Sequence, residues 1–179
     1  GIPVSVSVMF VCPWYQEAVA ILKENPYPVK TLYLISTNPV ITRANAREVM
    51  QALKKVDTLV VQDFFLTPSA KEADFVLPAS TWLEHDYIGE MWKRHGKVVA
   101  RRKCVQVGEA RSDYDILNEL GKRCTNRDFW WPTIKDALND ILRPTGFSWD
   151  EFCRRGYLEG ERRFRKYQTE GFRTRTGKF

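Results

Sequence analysis

A three-layer α/β domain with a mainly parallel sheet, followed by a helical or irregular C-terminal extension, is the fold this sequence predicts. Three observations carry the reading. First, Thr31-Leu32-Tyr33-Leu34-Ile35, Thr58-Leu59-Val60-Val61 and Phe75-Val76-Leu77 are short apolar runs of the kind that buried parallel strands show. Second, a helical pattern from residue 42 to about 56 separates the first two runs, as a parallel crossover requires. Third, each run stops abruptly in polar or proline-containing sequence: Ser36-Thr37-Asn38-Pro39, Gln62-Asp63, and Pro78-Ala79-Ser80-Thr81. Ligands of open parallel sheets sit beyond the carboxyl ends of the strands, so this polar edge is the expected nucleotide site.

Taken in order, Val4-Ser5-Val6-Ser7-Val8 alternates with period two and reads as a strand. Residues 14 to about 24 read as a helix with Ala18, Ile21 and Leu22 on its apolar side, and Asn25-Pro26-Tyr27-Pro28 ends it. Thr42 is the expected cap of the next helix, with Ala46, Val49, Met50 and Leu53 facing inward. Thr67-Pro68 is a second helix start. Residues 80–96 read as a loop of mixed polar and aromatic side chains, and 97–107 as an edge strand because of its charges. Ser112 and Asp115 make a box-like start to a helix over 114–124, with Ile116, Leu117 and Leu120 inward. A helix over 133–142 ends at Pro144 and Gly146, and Ser148 with Glu151 forms a capping box for a short helix to residue 155. Residues 161–179 are charged and weakly patterned, a linker or a strand lacking its partner. The expected domain boundaries are 1–125 for the α/β domain, with its core at about 26–123, and 126–179 for the extension.

Composition narrows the function classes. Cys12, Cys104, Cys124 and Cys153 are scattered, with no Cys-x-x-Cys pair, so mostly buried thiols are expected rather than a disulfide framework or a metal site. His85 and His95 have no partner set for a metal. No apolar run approaches the roughly 20 residues of a membrane span, and Val4 to Val11 lacks the basic flank of a secretory signal. The compartment, cytoplasmic or periplasmic, stays open. Residues 151–179 hold nine Lys/Arg against four Glu, nearly all of the chain's net charge of +6. Such a tail suits a polyanion, a solvated face or a neighbouring domain. The Lys93-Arg94 pair reads first as a solvated face and second as a phosphate contact.

A series of motifs, in order and at consistent spacing, resembles the catalytic subunit of the molybdopterin oxidoreductases, the dimethyl sulfoxide reductase superfamily. The series runs from Asn25-Pro26-Tyr27-Pro28-Val29-Lys30 through Leu34-Ile35-Ser36-Thr37-Asn38-Pro39 and Val60-Val61-Gln62-Asp63-Phe64-Phe65-Leu66-Thr67. It continues in Ala73-Asp74-Phe75-Val76-Leu77-Pro78, Ser80-Thr81-Trp82-Leu83-Glu84 and Arg111-Ser112-Asp113-Tyr114-Asp115-Ile116-Leu117. The resemblance implies a Rossmann-like third domain that holds the guanosine end of one molybdopterin guanine dinucleotide, with molybdenum or tungsten in the parent enzyme. It implies partners in the remaining domains of that subunit and an iron–sulfur electron-transfer subunit. The family's iron–sulfur motif and its metal-ligating segment are missing, and the closing Gly171-Phe172 and Thr176-Gly177-Lys178-Phe179 resemble the start of its last domain. A fragment without catalysis of its own is therefore expected. One departure concerns the first turn. The family has Gly two positions before the Asn of its Asn-Pro turn, whereas this chain has Ser36, which resists the close approach and positive φ that glycine permits.

The cofactor-binding candidates implied by the match are Ser36, Asn38, Thr42, Gln62, Asp63 and Asp113. A carboxylate can accept guanine N1–H and the 2-amino group together, as a charge-assisted pair. Asp113 suits that guanine edge, and Asp63 suits ribose or guanine. Gln62 both donates and accepts beside Asp63. Asn38 and Thr42 sit at the first strand–helix junction, where amide N–H groups favour phosphate or ribose oxygens. Each also has a purely structural role open to it: a turn at Asn38-Pro39, a cap at Thr42, a loop bond at Asp63, a helix start at Ser112-Asp113. The resemblance favours binding for Asn38, Gln62 and Asp63 and leaves Thr42 and Asp113 between the two. Asp74, Trp82 and Glu84 read as structural. The competing functions are a basic nucleic-acid module, which the resemblance disfavours, and an α/β subunit-interface domain.

Overall fold

A computed structural model describes residues 14–90, 96–160, 164–172 and 174–178. The expected strand over residues 4–8, together with Cys12, Trp92, Lys93, Arg94 and His95, lies outside the described residues. The chain forms two compact units. The first takes residues up to His85 and residues 104–130, and the second takes 86–103 and everything from Trp131 onward.

The first unit is α/β. Its sheet has three parallel strands in the order β1 (Thr31–Ile35), β2 (Thr58–Asp63), β3 (Phe75–Pro78). The register places Thr31 opposite Thr58 and Ile35 opposite Gln62, then Val60 opposite Phe75 and Asp63 opposite Pro78. One face of this sheet carries Leu34, Leu59 and Val61 into a core with Ala18 and Ile21 of α1 (Trp14–Lys23) and Val49, Ala52 and Leu53 of α3 (Ala46–Lys55). At roughly 25 cal/mol per Å² of buried apolar surface, this packing is what holds the crossover on the sheet. Asp74 is structural: its carboxylate accepts from the amide of Leu59 at 2.7 Å and so anchors the start of β2.

The first crossover does not begin at Thr42. Pro39 opens a four-residue helix, α2 (Pro39–Thr42), and Thr42 closes it by donating its hydroxyl to the carbonyl of Asn38 at 3.0 Å. The cap of α3 is Asn45, at φ +57°, whose side chain accepts from the amide of Glu48. Asparagine tolerates this left-handed geometry better than most residues. Ala46, expected inward, is exposed at the first position of the helix.

A short bridge between Ala79 and Arg111 extends the sheet beyond β3, with Ser80 N–H donating to the Arg111 carbonyl at 2.8 Å. It delivers residues 111–113 to the carboxyl edge. There Ser112 caps α4 (Asp113–Cys124), accepting from the amide of Asp115 at 3.0 Å. The inward face of α4 is not the expected Leu120, which is 46% exposed; Asn118 and Gly121 are buried instead. The reason at Gly121 is steric: Trp130 packs where a side chain would stand.

The second unit holds an antiparallel sheet in the order β4 (Tyr87–Glu90), β5 (Lys97–Arg101), β6 (Tyr157–Glu159). The segment expected at a sheet edge is thus the central strand. Its Val98 and Ala100 pack on a core formed by Leu138 and Leu142 of α5 (Ile134–Leu142) and Trp149 and Phe152 of α6 (Trp149–Arg155). Both helices open with capping boxes, the expected one from Ser148 with Glu151 and one not anticipated from Thr133 with Asp136. Beyond β6, a single turn of helix, α7 (Tyr167–Glu170), stacks Tyr167 on Phe172 at 5.3 Å. The thiols also differ from expectation, since Cys104 and Cys124 are exposed and Cys153 is half-buried.

Candidate functional site

The carboxyl edge of the parallel sheet is assembled from the ends of β1 and β2 and the start of α4. Ser36 follows β1 directly. Its amide donates to the carbonyl of Gln62 at 2.9 Å, and its φ is +49°. The backbone therefore adopts the left-handed turn that glycine favours, even with a serine in place. A side chain there costs on the order of 1 kcal/mol. Ser36→Gly is expected to raise stability by about 1 kcal/mol, read from the denaturant midpoint at constant slope.

Gln62 is 0% exposed and both ends of its side-chain amide are engaged. The hydroxyl of Tyr33 donates to Oε1, and Nε2 donates to Oδ1 of Asp113 at 2.5 Å. Successive strand residues point to opposite faces, so Gln62 and Tyr33 lie on the face that meets Asp113, while Asp63 points the other way. Burial raises the pKa of Tyr33, and the Asp113 carboxylate adds to the shift. The phenol thus stays protonated and remains a donor. Among the candidates, the structure brings Gln62 and Asp113 into contact and sets Ser36 beside Gln62 through the backbone. The carboxylate of Asp63 turns back onto the following amide, accepting from Phe64 N–H at 2.7 Å.

Asn38 and Thr42 belong to a second cluster. Oδ1 of Asn38 accepts from the hydroxyl of Ser69 at 2.8 Å and from its amide at 3.3 Å. Ser69 Oγ in turn accepts from the amide of Val40 at 3.1 Å. Ser69 is completely buried, and it staples the turn after β1 to the loop after β2. Sequence reasoning missed both Ser69 and Tyr33. Ser69 sits behind the Thr67-Pro68 helix start, where serine is unremarkable. Tyr33 sits inside an apolar run, and its hydroxyl was the only signal available.

Behind this edge, Glu84 braces the loop after β3. Its carboxylate accepts from the amide and hydroxyl of Thr81, both at 2.9 Å, and from the amide of Val107 at 3.1 Å. The Thr81 amide is the largest influence holding its pKa below the ordinary glutamate range, followed by the Thr81 hydroxyl, against an opposing effect of burial. A carboxyl depressed in the folded state stabilises above its unfolded pKa and loses that contribution as pH falls through the folded one. Glu84→Gln is therefore expected to be less stable than the parent at neutral pH, with the deficit closing in acid. Thermal melts at pH 7 and pH 3.5 check this.

The second unit has a separate cleft of about 380 Å³ around Cys153, lined by Arg102, Lys135 and Arg154 together with Asp86 and Asp150. Asp86 is occupied by the Trp149 indole at 3.2 Å and the Lys103 amide at 2.7 Å, and Lys135 pairs with Asp150 at 2.7 Å. Among the described residues no group of His, Cys, Asp and Glu could hold a metal ion.

The class defined by fold and site is an α/β unit that gathers carboxylate, amide and hydroxyl groups at the carboxyl edge of a parallel sheet. Comparison with known proteins makes it specific: the model of the molybdopterin oxidoreductase family matches residues 15–123, and this chain belongs to that family. Acetylene hydratase of Syntrophotalea acetylenica is 32% identical over 135 residues, which are 74% of this chain and 18% of that protein. The F420-dependent formate dehydrogenase subunit alpha of Methanocaldococcus jannaschii is 37% identical over 126 residues, 69% of this chain and 18% of its own length. The solved structure of acetylene hydratase from Pelobacter acetylenicus superposes with a TM-score of 0.81 at 27% identity, covering 94% of this chain and 24% of that one. The chain thus spans under a fifth of the length of these two sequence relatives.

Proposed function

We propose that this chain is the part of a molybdenum or tungsten oxidoreductase that holds the guanosine end of a molybdopterin guanine dinucleotide. The observation that carries the reading is the carboxylate of Asp113, fixed by a buried amide at the carboxyl edge of the sheet. Such a carboxylate accepts hydrogen bonds only. It suits the paired N1–H and 2-amino donors of guanine and repels the acceptor that adenine presents in the same place. The group is proposed to meet Asp113 at the base and Ser36, Asn38 and Thr42 along the first turn, with Asp63, which leaves β2 on the other face, taking ribose hydroxyls from the strand end. Gln62 serves by orienting Asp113. The dinucleotide, when bound, would carry the metal and its redox chemistry, while these residues would grip and orient one arm of it. The chain alone is proposed to catalyse nothing.

Hydrogen bonds to charged groups contribute about 1.5–3 kcal/mol each. Asp113→Ala in the full-length subunit is therefore expected to weaken cofactor retention at least tenfold, with Asp63→Ala having a smaller effect. Pterin and metal contents of the purified protein read this directly. Contents equal to wild type in both variants would overturn the reading.

A second role has its own observation. Phe64, Phe65 and Leu66, directly after β2, are all exposed, Phe65 by 76%. Contiguous apolar patches of this kind mark contact surfaces. Other domains of the parent subunit are the proposed partners, with an iron–sulfur subunit as a further one. No helix among the described residues is long and apolar enough to cross a membrane.

A further inference from the structure

We infer that Tyr33 is a positioning residue that sets the purine specificity of the site without touching the ligand, by acting through Gln62 on Asp113. The inference rests on the proposed guanosine reading. A glutamine amide has one acceptor end and one donor end, and a buried one is held by what faces each end. The Asp113 carboxylate only accepts, so the NH₂ lies toward it and Oε1 lies toward Tyr33, whose hydroxyl donates and holds the amide in place. Asp113 is the first residue of α4, and the backbone just before it is pinned to the sheet: Arg111 bonds Pro78 and Ser80, and Ser112 caps the helix. Its carboxyl group is the part still able to rotate, and the Gln62 amide is what stops it. One N–H from Gln62 occupies one of the carboxylate's roughly four acceptor positions and thereby aims the others. Tyr33 therefore decides which acceptor positions a bound base meets. The linkage is buried at its centre, where Gln62 is 0% exposed and an unmade bond costs most.

Two readouts on the 179-residue chain test this, one needing no ligand. In Tyr33→Phe, hydrogen exchange of the Gln62 side-chain NH₂, followed by NMR, is expected to accelerate at least tenfold. Unchanged exchange overturns the inference whatever the ligand. The second is a double-mutant cycle with GDP and ADP as probes. Tyr33→Phe is expected to reduce GDP affinity about tenfold and leave ADP affinity within a factor of two, so that discrimination collapses. In a Gln62→Met background, Tyr33→Phe is expected to change GDP affinity by less than twofold, because the path is already cut. A full tenfold loss in that background shows that Tyr33 acts by another route and overturns the inference. A wild-type chain that binds no GDP, with accelerated exchange in Tyr33→Phe, overturns the guanosine reading and leaves the Tyr33–Gln62–Asp113 linkage supported.

Discussion

Phe152→Ala is expected to cost about 3–5 kcal/mol, the range for removing a fully buried aromatic side chain. Phe152 is 0% exposed and lies against Trp149, with ring centroids 6.0 Å apart. Its cluster includes Leu138 and Leu142 from α5, Val98 and Ala100 from β5, and Leu158 from β6. One ring thus joins two helices to two strands. With four buried members in that cluster among the described residues, there is little else to close over the void. The loss is expected in the denaturant midpoint, and amide exchange should show β4, β5 and β6 losing protection first. Full protection of β5 in the variant would show that the sheet holds without this ring.

Ser69→Ala is the second large effect, expected at about 2–3 kcal/mol, from leaving the half-buried Val40 amide without its partner and Asn38 Oδ1 with only the backbone amide of residue 69. The hydroxyl bonds Oδ1 of Asn38 and the amide of Val40, and nothing of alanine's size replaces it. The consequence reaches the candidate site, since Asn38 sets the turn after β1. Ser69→Ala is therefore expected both to lower the melting temperature by several degrees and to weaken cofactor retention in the full-length subunit. Ser69→Thr, which keeps the oxygen, separates a lost bond from a changed volume: recovery of stability with threonine identifies the bond.

Much of the first unit was legible because its signals are local. The runs at 31–35, 58–63 and 75–78 are strands, and each ends in the turn that its own polar residues announce. The capping box at Ser148 was also readable, since four residues contain the whole device. The second sheet was harder to read. Lys97 and Arg101 made β5 look like an edge, yet Lys97 is neutralised by Glu159 at 3.3 Å and lies over the Tyr157 ring, both on a strand 60 residues away in sequence. β6 itself has three residues, too few to show a period. At the candidate site, the residue types were visible and their pairings were not. Nothing near Gln62 in sequence says that its amide is spent on Tyr33 and Asp113, 29 and 51 positions away. Thr42 looked like a cap because it precedes the helical pattern. Asn45 won because an αL asparagine can start a helix just after a proline-opened turn.

The chain crosses between its two units at three places, at 85/86, 103/104 and 130/131. No single scission can therefore release either unit as a free piece: a nick at 130/131 leaves both still tied through the strand pair β4 and β5. Proteolysis or gene truncation near that point would remove β6, α5 and α6 while leaving β5 with its apolar side chains bared to water. The first unit would then carry an orphaned hairpin between Glu84 and Cys104, the two residues that frame its bracing loop.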